Sequence, residues 1–359
     1  MRTKTSRLLA AVAALALLAT AGGADEDGEA TDEGETNDEG ETSDEAAGDG
    51  PSFVYITPTP IGVNRFLELG QIGTEAAADD LDGSARTFES TDLNSRRANV
   101  EAAVEDAPDV IVMTTFEFTE LAAEFATGNP DQAFVLIDAC PEEVPENLHC
   151  GVFREYEAAY LTGVMAGSLT EGNEVGSVVA LDIPFLRRFS DGFRMGAESV
   201  NPEVGDSQVF IGGDNAFSDP ARAKEQALAL SAQGGDHMLA AGSGSNGGVF
   251  EAAEEEGFFA YGVDVNQCSD APGAIVDNVL KRVDVVADDL IKSVLDGSAE
   301  NVNSYGLAEE GVGVVALQDD VDDTDCVIKE HPDVIEAVRE ANDAIVDGSL
   351  TLDDPMLAG

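Results

Sequence analysis

Basic residues are scarce in this chain: its 359 residues hold 18 Lys and Arg against 72 Asp and Glu, for a formal net charge of -54. Such a polyanion repels phosphate backbones and anionic lipid, which excludes nucleic acid and charged membrane as partners. Thirteen of the acids and three of the bases lie in residues 1–50, so 59 and 15 remain beyond them, a balance of -44. The folded surface itself is therefore acidic. At ordinary salt that charge strains a compact state, whereas at ~1 M salt the screening length falls to roughly 3 Å and the penalty collapses. We read a halophilic protein. General disorder is excluded outside a local segment, because 43% hydrophobic residues is ample for a core.

Long apolar runs are also missing. No stretch of ~20 apolar residues occurs, so no integral transmembrane domain is expected. The shorter run 8–19 follows Arg2, Lys4 and Arg7 and ends in small residues, the form of an export signal over 1–21. The protein is expected outside the cytoplasm, at the cell surface or secreted. Gly23 stands where a lipoprotein would carry its lipid-bearing Cys, so a lipid anchor is not expected, while Ala19-Thr20-Ala21 fits ordinary cleavage. Residues 22–50, with TDEGET followed by NDEGET, carry nothing larger than Ala among their apolar residues and read as a disordered acidic linker, either a tether or a plain spacer.

Cysteine is limited to Cys140, Cys150, Cys268 and Cys326, and histidine to three scattered positions. No CxxC and no metal spacing occurs, so no metal site is expected. An even Cys count in an exported chain invites disulfides, with three possible connectivities. We favour Cys140–Cys150 with Cys268–Cys326, because the first pair closes a short loop between neighbouring strands.

Beyond Pro51, short β-rich apolar runs alternate with Ala- and Glu-rich amphipathic stretches. Strands are expected at 53–56, 86–89, 110–113, 133–137, 149–153, 175–180, 208–211, 237–241, 258–263, 274–276 and 312–317. Helices fall between them, among them 93–105, 157–169, 220–233 and 283–295. This rhythm predicts an α/β chain with two doubly wound, Rossmann-like sheets. Ligands in such folds meet the carboxyl ends of strands. The residues there are 57–60, 114–116 with Phe116, Asp138-Ala139, 212–214, 242–244 and Asp264. Asp138 and Asp264 each end a purely apolar run, though an ordinary helix N-cap is the competing reading.

GSGSNG at 242–247 satisfies G-x-G-x-x-G after an expected strand, with Asp264 about 20 residues on, which is formally a dinucleotide fingerprint. It lies deep in the chain with no accompanying catalytic acid or base, so an NAD-dependent oxidoreductase is the minor alternative. With no G-x-S-x-G and no His in a triad context, no catalytic residue is assigned, and neither enzymatic activity nor a cofactor is expected.

From about residue 109 to 317 the chain resembles the basic membrane protein family of ABC-transporter substrate-binding proteins, in a haloarchaeal form. The resemblance rests, in order, on PDVIVMTTFEFTE, FVLIDA, FREYEAAYLTGVMAGSLT, IPFLRRFSDGFRMGAESVNP, AFSDPARAKEQALALSAQGGD, AAGSGSNGGVFEAAEEEG, YGVDVNQ, VLKRVDVVADDLI and YGLAEEGVGV. It implies a type I periplasmic-binding-protein fold with a ligand held between two lobes. One lobe is expected from 51–155 plus about 265–303, the other from 156–264 plus about 304–359. It also implies a small-molecule ligand, with a purine nucleoside first, a monomer, and an ABC permease as partner. A sensor reporting to a membrane receptor is the alternative.

By the same resemblance, Lys281 reaches into the cleft, Asp138 and Asp264 take hydrogen bonds from ribose or base, Phe217 stacks, and Gly242 makes a backbone contact. The competing reading of Lys281 is a surface salt bridge at a helix start, while Arg282 is expected to pair with surface acids. The first strand-loop, TPTPIGVNRFLELGQIG at 57–73, departs from the family pattern and offers Asn64 and Phe66 in its place. Another nucleoside or a small polar solute is therefore the alternative ligand.

Overall fold

The computed structural model describes residues 50–357, apart from positions 63 and 214. The expected export signal, the linker up to residue 49, Gly23 and position 214 lie outside the described residues.

The first sheet is formed by β1 (Ser52–Thr57), β2 (Ser84–Glu89), β3 (Val110–Thr114), β4 (Ala133–Ile137) and β5 (Leu148–Phe153), interleaved with α1 (Arg65–Asp80), α2 (Leu93–Asp106) and α3 (Thr119–Gly128). The second takes α4 (Glu155–Leu169), β6 (Glu174–Val179), α5 (Arg187–Val200), β7 (Gly205–Phe210), α6 (Pro220–Ser231), β8 (His237–Ala241), α7 (Asn246–Glu256), β9 (Phe259–Asp264) and β10 (Ile275–Lys281). The chain ends with α8 (Val283–Asp296), β11 (Val302–Tyr305), β12 (Val312–Val314) and α9 (Pro332–Val346). Strand order is β11-β5-β4-β3-β1-β2 in one sheet and β12-β10-β9-β8-β6-β7 in the other. All pairings are parallel except β10 with β12.

Helices cover both faces of each sheet, which is why VIVMT of β3 and IVDNVLK of β10 are buried along their whole length. Local sequence sets the helix starts: Asp92 and Ser95 form a reciprocal capping box on α2, and Asn64 caps α1. α4 and α5 cross at glycines. A Cβ at Gly196 would lie 1.9 Å from the Tyr160 carbonyl oxygen, and one at Gly163 would lie 2.0 Å from that of Phe193. Neither backbone can yield alone, so Gly196→Ala is expected to cost about 3 kcal/mol of stability by overpacking. Denaturant unfolding in molar salt checks this, and an unchanged midpoint would refute so close a crossing.

The chain passes between sheets three times: at Arg154 between β5 and α4, at Arg282 between β10 and α8, and between β11 and β12. This corrects the expected division, which put 265–303 with the first lobe. β10 hydrogen-bonds to β9 and β12, because a strand buried on both faces needs a ladder on both edges. Only α8, packed on α1, and β11, paired with β5, return to the first lobe. β11 itself was not expected, since VNSY is short and largely polar. The disulfides join Cys140 to Cys150, closing the loop between β4 and β5, and Cys268 to Cys326.

Candidate ligand-binding cleft

The carboxyl ends of both sheets face one cleft, and there the backbone is strained. Thr115 (φ 85°), Asp138 (φ 73°), Ser243 (φ 50°) and Asp264 (φ 72°) all have positive φ at the end of, or within two residues after, β3, β4, β8 and β9. Each costs roughly 1–3 kcal/mol for a non-glycine residue, and such costs cluster at ligand sites.

Lys281, the last residue of β10, is 2% exposed. This overturns its reading as a surface pair at a helix start. Its ammonium donates to Asp138 and lies 3.1 Å from Glu155 Oε1. The rings of Phe66, Phe153, Phe185 and Phe189 stand 5.2, 4.7, 5.3 and 5.8 Å from its Nζ. Burial alone would drive the ammonium towards neutrality, but Asp138, Glu155 and Asp264 together outweigh it and hold Lys281 charged. Burial pushes Asp264 up to about 6, with Lys281 opposing and Asp138 and Glu155 adding to the rise. Arg282 turns away, its guanidinium reaching Asp284 at 2.7 Å and its backbone N–H donating to the Gly311 carbonyl at 2.8 Å.

Phe116 from the first lobe meets Phe217 from the second, with ring centroids 6.4 Å apart and planes tilted by 42°. The Phe217 loop is fixed by Ser245, whose hydroxyl donates to the Ala216 carbonyl and accepts from the Asp219 N–H. Gly242 stands at the cleft, but its N–H is taken by the Asn246 side chain at 2.8 Å. GSGSNG is thus knitted to its own helix rather than left open as a phosphate cradle. Asn64 also has a local task, since its side-chain oxygen accepts from the Leu67 N–H. Of the expected residues, Phe66, Asp138 and Lys281 share one cluster that Asp264 influences electrostatically, Phe116 and Phe217 form a second contact, and Asn64 and Gly242 are engaged in backbone capping.

Two residues of the cluster escaped the sequence reading. Glu155, fully buried, faces both Lys281 and Arg188, and Arg188 Nη1 donates to the Phe153 carbonyl at 2.9 Å. Their signal was faint: a first-turn acid on an Ala-rich helix and an arginine beside another arginine are ordinary surface patterns. Two cavities of about 560 and 330 Å³ lie elsewhere, one beside Thr127 and Asn147, the other beside His237 and His331. In the second, Asp236 is already occupied by Thr170 and the N–H groups of Glu171 and Gly172. The cleft, not these cavities, gathers charge, rings and strain. Among the described residues no helix is long and apolar enough to cross a membrane, and no cluster of metal-ligating side chains occurs.

The profile of the Bmp family, described as ABC transporter substrate-binding protein PnrA-like, matches residues 71–345. An uncharacterized lipoprotein of Pyrococcus abyssi is 30% identical over 260 residues, an alignment covering 69% of this chain and 64% of that protein. The ABC transporter nucleoside-binding protein BmpA of Lactococcus lactis is 25% identical over 284 residues, covering 74% and 77%. Among solved structures, an ABC transporter solute-binding protein of Aeropyrum pernix K1 superposes with a TM-score of 0.70 at 25% identity, covering 85% of this chain and 94% of that one. The two sheets and their crossings are those of the type I periplasmic-binding fold. The chain belongs to the Bmp family of PnrA-like ABC transporter substrate-binding proteins.

Proposed function

We propose that this protein works outside the cytoplasm of a halophile, binds a nucleoside between its lobes and presents it to an ABC permease. A purine nucleoside is the first choice of ligand. The observation that carries the reading is the convergence of Asp138, Asp264 and Lys281 with the Phe116 and Phe217 rings from opposite lobes. Carboxylates accept from ribose hydroxyls or base N–H groups, the ammonium donates, and the rings stack on the base. Stacking a planar base between two rings takes roughly 3.5 Å per face, so the rings need only a small separation and realignment to admit one. Three carboxylates against Lys281 and Arg188 leave the cluster net negative, so a phosphorylated ligand is disfavoured. The name of the Lactococcus relative supports the same class.

A different small polar solute is the second reading. It rests on the first loop, where Asn64 is spent on capping α1. Thermal shift in molar KCl separates the two, because a ligand bound only by the folded state raises the midpoint, by about 2.7 kcal/mol of stabilisation at 100 times Kd. Guanosine, adenosine or inosine should raise it while their monophosphates do not. A response to sugars or amino acids alone would keep the fold and overturn the nucleoside.

A further inference from the structure

Glu155 opens α4 directly after the first crossing, and neither of its buried oxygens receives a well-aligned hydrogen bond. It depends instead on two cations, Lys281 Nζ 3.1 Å from Oε1 and Arg188 Nη1 3.5 Å from Oε2. Arg188 is itself divided. Besides the Phe153 carbonyl, its Nε and Nη2 grip the two oxygens of Asp354 at 3.0 and 2.6 Å. Asp354 lies beyond α9, in the C-terminal segment. A line of alternating charge, Asp138–Lys281–Glu155–Arg188–Asp354, therefore runs from the cleft, through the first crossing, to the end of the chain.

We propose that Glu155, Arg188 and Asp354 are positioning residues for Lys281, so that the C-terminal segment helps set ligand affinity. The proposal rests on reading the Lys281 cleft as the ligand site. Every cation in the line is shared between anions, so removing one anion redistributes the rest. With Asp354 neutralised, Arg188 turns its full charge on Glu155. Glu155 then releases Lys281, whose charge falls wholly on Asp138, the partner it already holds, and binds more tightly the acceptor a ligand needs. The tie from Arg188 on α5 to the β5 end at Phe153 loosens at the same time, because its anchor is gone.

The test is calorimetric binding of the best nucleoside from the screen to the full chain in molar KCl, for wild type, Asp354→Asn, Asp354→Glu, Glu155→Gln and Asp354→Asn with Glu155→Gln. Asp354→Asn should weaken Kd about tenfold, Asp354→Glu should restore it, and the Asn substitution should add nothing in the Glu155→Gln background. A purely structural tail would lower the unfolding midpoint and leave Kd unchanged. An unchanged Kd in Asp354→Asn, or independent effects in the double variant, overturns the proposal. Hydrogen exchange of the ligand-free proteins provides a readout independent of the nucleoside. Residues 278–283 should exchange faster in Asp354→Asn than in wild type. If wild type binds no nucleoside, the functional reading falls, and unchanged exchange at 278–283 would sink the charge line as well.

Discussion

Lys281→Met is expected to lose ligand binding and to lower the unfolding free energy by about 3–5 kcal/mol, the cost of breaking a buried pair from one side. Methionine preserves the apolar stem among Phe66, Phe153, Phe185 and Phe189, so the loss isolates the charge. Without it, Asp138 and Glu155 confront each other with only Arg188 nearby. Their way out is to take up protons. Folded-state carboxyls that hold protons above the unfolded value of roughly 4 make stability fall as pH rises. The deficit in Lys281→Met should therefore be largest near neutral pH and shrink as pH drops towards the ordinary carboxylate range. Urea unfolding in molar KCl at several pH values measures it. A loss under about 1 kcal/mol, or one that does not vary with pH, would show that the ammonium is not what holds these acids together.

Asp264→Asn should weaken nucleoside binding by about 1.5–3 kcal/mol, the worth of hydrogen bonds to a charged acceptor. The pH dependence is the sharper check. Asp264 is pushed up to about 6 by burial, and a ligand donating hydroxyl protons binds only its ionised form. In wild type, affinity should hold above pH 6 and fall about tenfold per unit below it. The Asn variant should show no such inflection. Stability carries the opposite sign: a raised folded pKa means ionised Asp264 costs folding energy, so wild type loses stability as pH rises from roughly 4 to about 6. Asp264→Asn removes that loss. A variant that binds more weakly yet is more stable at pH 7.5 would be the mark of a site residue; lower stability with unchanged affinity would make Asp264 structural.

How much of this was legible in the sequence depended on what surrounded each residue. Asp138 and Asp264 stood out because FVLI and YGV are apolar on both faces, so a carboxylate at the run's end is visible. β10 was harder. Asp277 and Asn278 interrupt its apolar pattern, which stopped the expected strand at 276 and made Lys281 look like a helix start. Tertiary contacts undo that interruption: Asp277 accepts from the N–H groups of Val315 and Ala316, and Asn278 accepts from that of Gln267. No local pattern announces such partners 38 and 39 residues away. Glu155 was hidden for a different reason. Acids are favoured in the first turn of any helix, and in so acidic a chain one more carries no signal until the structure buries it.

The left-handed backbone at the strand ends limits how this receptor can be retuned for another solute. Short polar side chains that bond locally, and glycine, tolerate such φ values, whereas branched aliphatics do not. Positions 138 and 264 thus accept exchanges of charge and hydrogen-bonding sense, Asp for Asn, far more readily than exchanges of bulk. Phe116 and Phe217 carry no such constraint, so a library that alters pocket shape belongs there. In the proposed site chemistry and shape fall on separate residues, so a designer would vary one while holding the other fixed.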